Sequence, residues 1–476
     1  MSARVGARLA DWLTRPAAIF AVALAARVAV ALWAFDRIPP TADGAYYDVI
    51  AKRIAAGEGY TWAWPDGTIT YAAHYPVGYP ALMAFVYLVA GPRPGAVMLV
   101  NALLGAAGAW FTHRAAMLAT GDTEGGPRRS SVPAALAGWA VALHPALLSY
   151  TPALMTEGVT TTLLGAALAA VGFARRRRGA LVGFITLGLV LGVATFVRPQ
   201  TIVLAPLFAV VAARGDGSKR GSRGWGRVGA LAALTTAAAL VVVSPWTARN
   251  CSRMGRCALV SVNGGWNLAI GTDREANGSW AALKVPEPCK TEFDEAEKDV
   301  CFGREAAKEI ARDPLGWLAL APHKLHVTFT YFGAGPWYLH AANEAAFSSR
   351  AKVAWAAAEI VFQRGLLGAA LFAVARPCFA GFERRRRRVL VGLCAALALV
   401  PTGWVGVLAF AGLAWAAARR EGPATALAFR AAALVVATTA ATHAVFFGAG
   451  RYGLVIIPAL ALGLVGLGPR KEPQGF

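Results

Sequence analysis

Asp43 lies in Pro39-Pro40-Thr41-Ala42-Asp43-Gly44-Ala45-Tyr46-Tyr47, directly after the first long apolar run. A carboxylate just outside a hydrophobic helix, beside Tyr46 and Tyr47, is placed to act as a general base at a membrane surface. Helix capping is the competing use, because aspartate is a good N-cap and a helical pattern starts just after it. Glu157 follows Tyr150-Thr151-Pro152-Ala153-Leu154-Met155-Thr156 and opens another apolar segment. An ionisable group there is a functional candidate, the alternative being an interaction with the helix dipole. Arg198, before Pro199, and Arg451, in Gly450-Arg451-Tyr452-Gly453, end outward-running spans. Arginine binds phosphate through bidentate hydrogen bonds, and snorkelling to the interface is its alternative use. His443, and His74 in Ala72-Ala73-His74-Tyr75-Pro76-Val77-Gly78-Tyr79-Pro80, add further phosphate donors. Trp246, Arg249 and Asn250 close another span at the same face. The catalytic candidates are thus Asp43 and Glu157. The substrate-binding candidates are Tyr46, Tyr47, His74, Arg198, Arg249, His443, Arg451 and Tyr452. No metal-ligand cluster and no GxGxxG or P-loop signature stands beside them.

The elements that position these residues are apolar helices. Of the 476 residues, 57% are hydrophobic and only 15% charged, against about 45–50% and about 25% in soluble proteins. Runs of about 17–25 apolar residues, enough to cross ~30 Å of hydrocarbon, recur along the chain. The alternating segments of a membrane β-barrel are absent. The fold class expected is therefore all-α and polytopic. The net charge is +21, and the basic residues cluster in short loops: Arg175-Arg176-Arg177-Arg178, Arg214 to Arg227, and Arg384 to Arg388. That is the positive-inside pattern, which points to anionic lipid headgroups and away from nucleic acid. Arg4, Arg8 and Arg15 precede a run from Ala17 to Phe35 that is too long for a signal-peptide core. It is read as a retained first span with a cytoplasmic N-terminus.

The stretch from Asp36 to Tyr75 is then outside, with a surface helix over Tyr46 to Ala56. Four apolar segments follow before Arg175: Val77–Ala90, Ala96–Leu118, Val132–Leu148 and Val159–Ala174. Four crossings give the wrong parity, so the short, Pro-bounded Val77–Ala90 is expected not to cross. Glu157 then shares the side of Asp43. A hairpin over Ala180–Val197 and Thr201–Ala213 comes next, and Gly229–Val243 exits at Pro245-Trp246. Leu315–Phe332, with His323, Lys324 and His326, is expected to be interfacial. About twelve crossings are expected, with both termini inside. The organisation reads as a catalytic transmembrane module (1–246, with outer loop 36–76), an outer loop region (247–314) and a C-terminal transmembrane module (315–476).

Six cysteines are present, and Cys251, Cys257, Cys289 and Cys301 share the polar outer segment. They read as two disulfides in an oxidising compartment, with three possible connectivities. Zinc is the alternative, but no short Cys-x-x-Cys spacing supports it.

Several of these pieces recur in one order. They are Asp43 with Tyr46-Tyr47 and the Gly57–Tyr60 turn; Tyr75 to Pro80; Asn101; Pro145 with Thr156-Glu157; and Arg198-Pro199. Pro245-Trp246 with Arg249-Asn250, Asn263 to Leu268 with Gly271, and Arg451-Tyr452 complete the series. In these the chain resembles the GT-C membrane glycosyltransferases. The resemblance is to RgtA/B/C/D-like and protein-mannosyltransferase-like members of glycosyltransferase family 39, relatives of the aminoarabinose transferases. The segment after Phe302 matches less well. The resemblance implies a GT-C-type bundle with an outer loop helix after span one. It implies transfer of a sugar from a polyprenyl-phosphate-linked donor to an envelope glycan, lipid or protein acceptor on the outer face, with inversion. Asp43 would be the base and Glu157 a second acid of the site. No cofactor is implied, and metal independence is expected. The location implied is a bacterial inner membrane, with a cytoplasmic C-terminus and an extracytoplasmic active site. Many relatives carry Asp-Glu after the first span, whereas Gly44 follows Asp43 here. A polytopic transporter or lipid flippase, and a lipid-linked ligase or polymerase, are the competing readings.

Overall fold

The structure is a computed structural model that describes residues 11–121, 128–175, 180–214, 222–330, 333–379 and 384–468. Arg4, Arg8, Arg176 to Arg178, residues 215–221 of the basic loop and the C-terminal residues 469–476 lie outside that description. The protein is an all-α polytopic membrane protein. Seven described helices are long and apolar enough to cross a membrane, and six further apolar helices are shorter. The outward faces expose Phe85, Leu88, Val89, Leu181, Val241 and Val361, as helices facing lipid require.

Helix α1 (Pro16–Ala34) is the first span, and Pro16 sits at its first turn, where proline suits a helix. After a short loop, α2 (Asp43–Ala55) begins beyond Ala42, whose φ of 53° is rare for a residue with a Cβ. Strands β1 (Thr61–Ala63) and β2 (Ile69–Tyr71) form a hairpin that the sequence reading did not anticipate, although Pro65-Asp66-Gly67 is a turn signal. Helix α3 (Gly78–Ala90) starts with Gly78 against the backbone of Phe196, and α4 (Pro94–Thr120) starts with Gly95 against the ring of Phe35. Phe35 and Phe196 both end helices at the Asp43 end of the bundle. Helix α3 therefore begins and ends there and does not cross.

Helix α5 (Arg128–Ala142) returns from the far end but stops inside the bundle, followed by α6 (Pro145–Ser149) and the start of α7 (Thr156–Ala174). Irregular backbone at that depth needs partners, because lipid offers none. Arg27 supplies them for Val141 (2.9 Å) and Ala142 (2.7 Å), and Asn101 for Thr151 and Ala153 (both 3.3 Å). Helices α8 (Ala180–Val197) and α9 (Leu204–Arg214) form the expected hairpin. Helix α10 (Ser222–Arg253) does not stop at Pro245-Trp246 but runs two turns beyond. Pro245 frees the Val241 carbonyl, and the Ser244 hydroxyl donates to it (2.9 Å), so the helix continues.

The outer segment carries α11 (Gly264–Thr272) and α12 (Glu295–Arg312), with disulfides Cys251–Cys257 and Cys289–Cys301. Cys378 and Cys394 are free thiols. Leu315–Phe332 is not one interfacial segment. It breaks at Leu320 into α13 (Pro314–Ala319) and α14 (Ala321–Thr330), and α15 (Ala334–Ala342) follows. Helix α14 dips between α18 (Gly403–Ala417) and α19 (Pro423–Val445), and its Thr330 hydroxyl accepts from the Trp404 amide (3.3 Å). Helix α15 climbs back to Thr41. Lys324 stays buried because its ammonium meets the carbonyls of Ala444 (3.3 Å) and Val445 (3.2 Å), at the negative end of α19.

Between these lie α16 (Ser349–Ala375) and α17 (Arg384–Leu399), and the last span is a mixed segment, Gly450–Leu467, that includes α20 (Ile457–Gly463). Chain direction separates two ends of the bundle. Helix α7 starts at Glu157 and runs to Arg175, α8 returns to Arg198, α9 runs to Arg214, and α10 and α19 return to Arg253 and His443. The helix ends at Arg175 and Arg214, where the arginine-rich loops begin, lie opposite the Asp43 end.

Candidate active site

Four chain segments meet at the Asp43 end: the start of α2, the start of α7, the turn after α8, and the Gly450–Ile456 turn after α19. Asp43 does not cap α2, which has no side-chain cap. One carboxylate oxygen accepts from the Tyr75 hydroxyl (3.0 Å) and the other pairs with the Arg451 guanidinium (2.7 Å). Glu157 sits beneath, 1% exposed, paired with Arg198 (2.6 Å) and with Nε of Arg451 (3.5 Å), and accepting from the Tyr150 hydroxyl (2.9 Å). Arg451 thus bridges the two carboxylates. Tyr452 packs between His443, stacked at 4.4 Å, and Arg198, whose guanidinium lies 4.8 Å from the ring centre. Two buried side-chain nitrogens in this cluster have no protein partner: Nε of Arg198, a donor, and Nε2 of His443, the acceptor end of a ring whose Nδ1 donates to the Phe447 carbonyl (3.0 Å).

These groups wall a cavity of about 440 Å³, which also takes in His74, Tyr47, Asn263, Trp266 and Gln200. A second cavity of about 270 Å³ is mostly apolar, lined by Met155, Trp280, Ala334, Trp337 and Phe447. Asp43 and Arg451 line both. The polar cavity offers cationic and amide donors. The apolar one offers ring faces, and its two tyrosine hydroxyls are spent: Tyr150 on Glu157, Tyr338 on the amides of Thr41 (3.1 Å) and Leu154 (3.4 Å).

The same Tyr338 explains the glycine after Asp43. A Cβ on Gly44 would stand 2.8 Å from the Leu154 carbonyl and 3.0 Å from the Tyr338 hydroxyl. No glutamate fits there, and the second carboxylate arrives from α7 as Glu157.

Of the residues singled out from sequence, Asp43, Tyr47, His74, Glu157, Arg198, His443, Arg451 and Tyr452 are gathered at the larger cavity. Tyr46 and Arg249 are not. Tyr46 stacks on Trp62 (4.7 Å) and leans on Tyr75 (4.8 Å), so it supports the wall from outside. Arg249 donates to the carbonyls of Ala72 (2.9 Å) and Tyr60 (2.8 Å) and lies over Trp246 (4.7 Å). It clamps the outer loop. His74 presents its ring edge to Tyr75 and Trp266, and burial lowers its pKa to about 4, so it is neutral near pH 7. Tyr75, Trp266, Tyr150 and Trp280 were missed as site residues; Tyr75 and Trp266 lay inside quoted motifs, but their side-chain targets are distant in sequence. Among the described residues no three His, Cys, Asp or Glu gather into a group that could hold a metal.

No family model and no curated protein matches the sequence. Among solved structures, the chain is similar to the oligosaccharyltransferase of Archaeoglobus fulgidus in its apo form. That likeness has 12% identity and a TM-score of 0.44, over 93% of this chain and 50% of the other. It is also similar to ArnT from Cupriavidus metallidurans bound to undecaprenyl phosphate, at 16% identity and a TM-score of 0.39, over 94% and 76%. A third is the oligosaccharyltransferase AglB of Archaeoglobus fulgidus in complex with an inhibitory peptide and a dolichol-phosphate, at 15% identity and a TM-score of 0.40, over 93% and 50%. This chain spans about half the length of the archaeal structures. These solved structures are GT-C-fold membrane glycosyltransferases.

Proposed function

We propose that the protein is an integral membrane glycosyltransferase. It takes a sugar from a polyprenyl-phosphate-linked donor and passes it, with inversion, to a hydroxyl of an envelope glycan, lipid or protein. The reaction takes place at the membrane face opposite the arginine-rich loops, which by the positive-inside rule is the outer face. The observation that carries this reading is the position of Asp43. It stands on the wall shared by a polar cavity, with unpartnered Arg198 Nε and His443 Nε2, and an apolar one.

The donor phosphate belongs in the polar cavity, where the Nε donor of Arg198 remains free to bind it. The acceptor hydroxyl approaches from the other side of Asp43. Asp43 takes its proton as the acceptor oxygen bonds to the anomeric carbon. The anomeric carbon–oxygen bond breaks, and its electron pair leaves with the phosphate. The negative charge gained there is stabilised by Arg198 and Arg451, which are already in place. A single displacement from the face opposite the phosphate inverts the anomeric centre. Glu157 balances the two arginines and holds them. A transporter reading would put Glu359 to work within the membrane. That carboxylate instead accepts from the Ser149 hydroxyl (2.9 Å) and the Gly333 amide (2.7 Å).

Undecaprenyl phosphate binding to the purified protein tests the donor site. Arg198→Lys, which keeps a cation for Glu157 but has no Nε donor, is expected to weaken it about tenfold, the effect of losing one hydrogen bond to a charged group. Wild-type protein that does not bind undecaprenyl phosphate, or a variant that binds it equally well, counts against this reading. In cells, a strain lacking the protein is expected to lose one sugar from an envelope glycan, glycolipid or glycoprotein, seen by mass analysis.

A further inference from the structure

Helix α12 contributes no residue to the lining of the polar cavity, yet two stretches of the cavity wall hang from it. Glu295, Asp299 and Phe302 are spaced four and three residues apart, so they share one helix face. Glu295 accepts from the amides of Ala73 (2.5 Å) and His74. Asp299 accepts from the amides of Trp266 (2.8 Å), Gly265 and Gly264. Phe302 packs edge-on against Trp266 (4.9 Å), which in turn packs edge-on against His74 (5.1 Å). The two stretches are also joined to each other, because the Val262 amide donates to the Ala73 carbonyl (2.8 Å). Gly265 lies so close to the Asp299 carbonyl that no side chain fits.

The helix is itself anchored. Asp294 caps it by accepting from the amides of Ala296 and Glu297, Cys301 joins it to Cys289, and Glu297 takes both ends of the Arg256 guanidinium (2.6 and 2.9 Å). The chain of contacts ends at the reacting end of the site. Glu295 fixes residues 73–74, the next residue is Tyr75, and Tyr75 donates to Asp43.

We propose that Glu295 and Asp299 are positioning residues: they set the wall of the polar cavity through the amides of residues 73–74 and 264–266 and, through Tyr75, the orientation of Asp43. The inference rests on the function proposed above only for the choice of ligand in one of its tests.

Glu295 also gives the arrangement a pH signature. Its neighbours are Asp294, Arg249, His74, Tyr46 and Tyr60. Burial outweighs the amide hydrogen bonds and the Arg249 charge, and lifts its pKa to about 7. A carboxyl raised in this way contributes most to global stability at acid pH, and that contribution is lost as pH rises from 4.5 to about 7. Its hydrogen bonds from amides move the other way, because an ionised acceptor binds N–H groups more strongly. The wall is therefore held more firmly above about 7, where the loss of global stability from this group is already complete.

The test is hydrogen exchange over residues 72–76 and 263–267, corrected for intrinsic rates, one pH unit either side of about 7. It is run on wild-type protein, Glu295→Gln and Asp299→Asn, with melting temperature and undecaprenyl phosphate affinity measured alongside. Wild type is expected to show slower exchange at 72–76 above neutral pH. Glu295→Gln, which keeps the shape of the side chain, is expected to abolish that pH dependence with little change in melting temperature. Each variant is expected to weaken undecaprenyl phosphate binding by about tenfold at most, since the lost hydrogen bonds act at one remove. Glu295→Gln with the wild-type exchange profile, or two variants with unchanged exchange at both stretches, would overturn the proposal. If wild-type protein does not bind undecaprenyl phosphate, the donor assignment fails, and the exchange results alone still decide the role of α12.

Discussion

Asp43 and Glu157 share one arginine and little else. The Asp43 side chain is 25% exposed and stands where two cavities meet. The Glu157 side chain is 1% exposed, and its oxygens are taken by Arg198, Arg451 and Tyr150. A group that exchanges a proton with a bound hydroxyl needs access and a free lone pair, and Asp43 has both. A group enclosed by cations serves better as a fixed counter-charge. From sequence both are catalytic candidates, Asp43 as the base and Glu157 as a second acid of the site. In the proposed reaction their surroundings divide the labour, with chemistry at Asp43 and positioning of cations at Glu157.

Asp43→Asn is the sharpest way to break that comparison. It keeps the side-chain volume and removes the base. Sugar transfer, assayed with a labelled lipid-phosphate-sugar donor, is expected to fall by about 10²–10⁴. Melting temperature should change little, and undecaprenyl phosphate affinity should stay within about threefold, because Arg451 keeps its pairing with Glu157. Transfer at near wild-type rate would remove Asp43 from the mechanism.

Glu157→Gln should act in the opposite sense, through stability first. It leaves Arg198 buried with its ion pair gone, and breaking a buried pair costs about 3–5 kcal/mol. The expected result is a clear drop in melting temperature and in the yield of folded protein, together with weaker undecaprenyl phosphate binding. A Glu157→Gln protein that melts like wild type but has lost turnover as completely as Asp43→Asn would make the two acids equal partners in the chemistry.

How much of this could be read in the chain follows from the range of the interactions. Apolar spans, the basic loops and the parity failure at Val77–Ala90 are local or additive signals, and α3 indeed begins and ends at one end of the bundle. Asp43, Arg198, His443 and Arg451 were legible because ionisable groups beside apolar helices are few. Their pairings were not, since Asp43 and Arg451 are 408 residues apart and Arg198 and Glu157 are 41 apart. The dip of α14 and α15 was hidden because Lys324 looks like an interfacial charge until the end of α19 supplies its carbonyl partners. Helix α12 lies in the polar outer segment, where only the cysteines stand out in the sequence. Only the fold shows that two of its acids face backbone amides.

Arg249 supplies the smallest expected effect and the finest discrimination between arginines. The sequence placed it with Arg198 and Arg451 as a phosphate ligand. The fold gives its guanidinium to the carbonyls of Tyr60 and Ala72 instead. Lysine keeps the charge but loses the planar fork and the stacking on Trp246, so Arg249→Lys tests geometry separately from charge. The local cost is about 1 kcal/mol, the scale of a net hydrogen bond. It should appear as faster hydrogen exchange around residues 60–72, a small fall in melting temperature and undecaprenyl phosphate binding close to wild type. The decisive comparison is with Arg198→Lys. If Arg249→Lys weakens undecaprenyl phosphate as much as that variant does, Arg249 reaches the ligand in the working enzyme and the clamp gives way when the donor binds. If it does not, the cations at this end of the bundle fall into two groups, one that faces the donor and one that holds the outer loop over it.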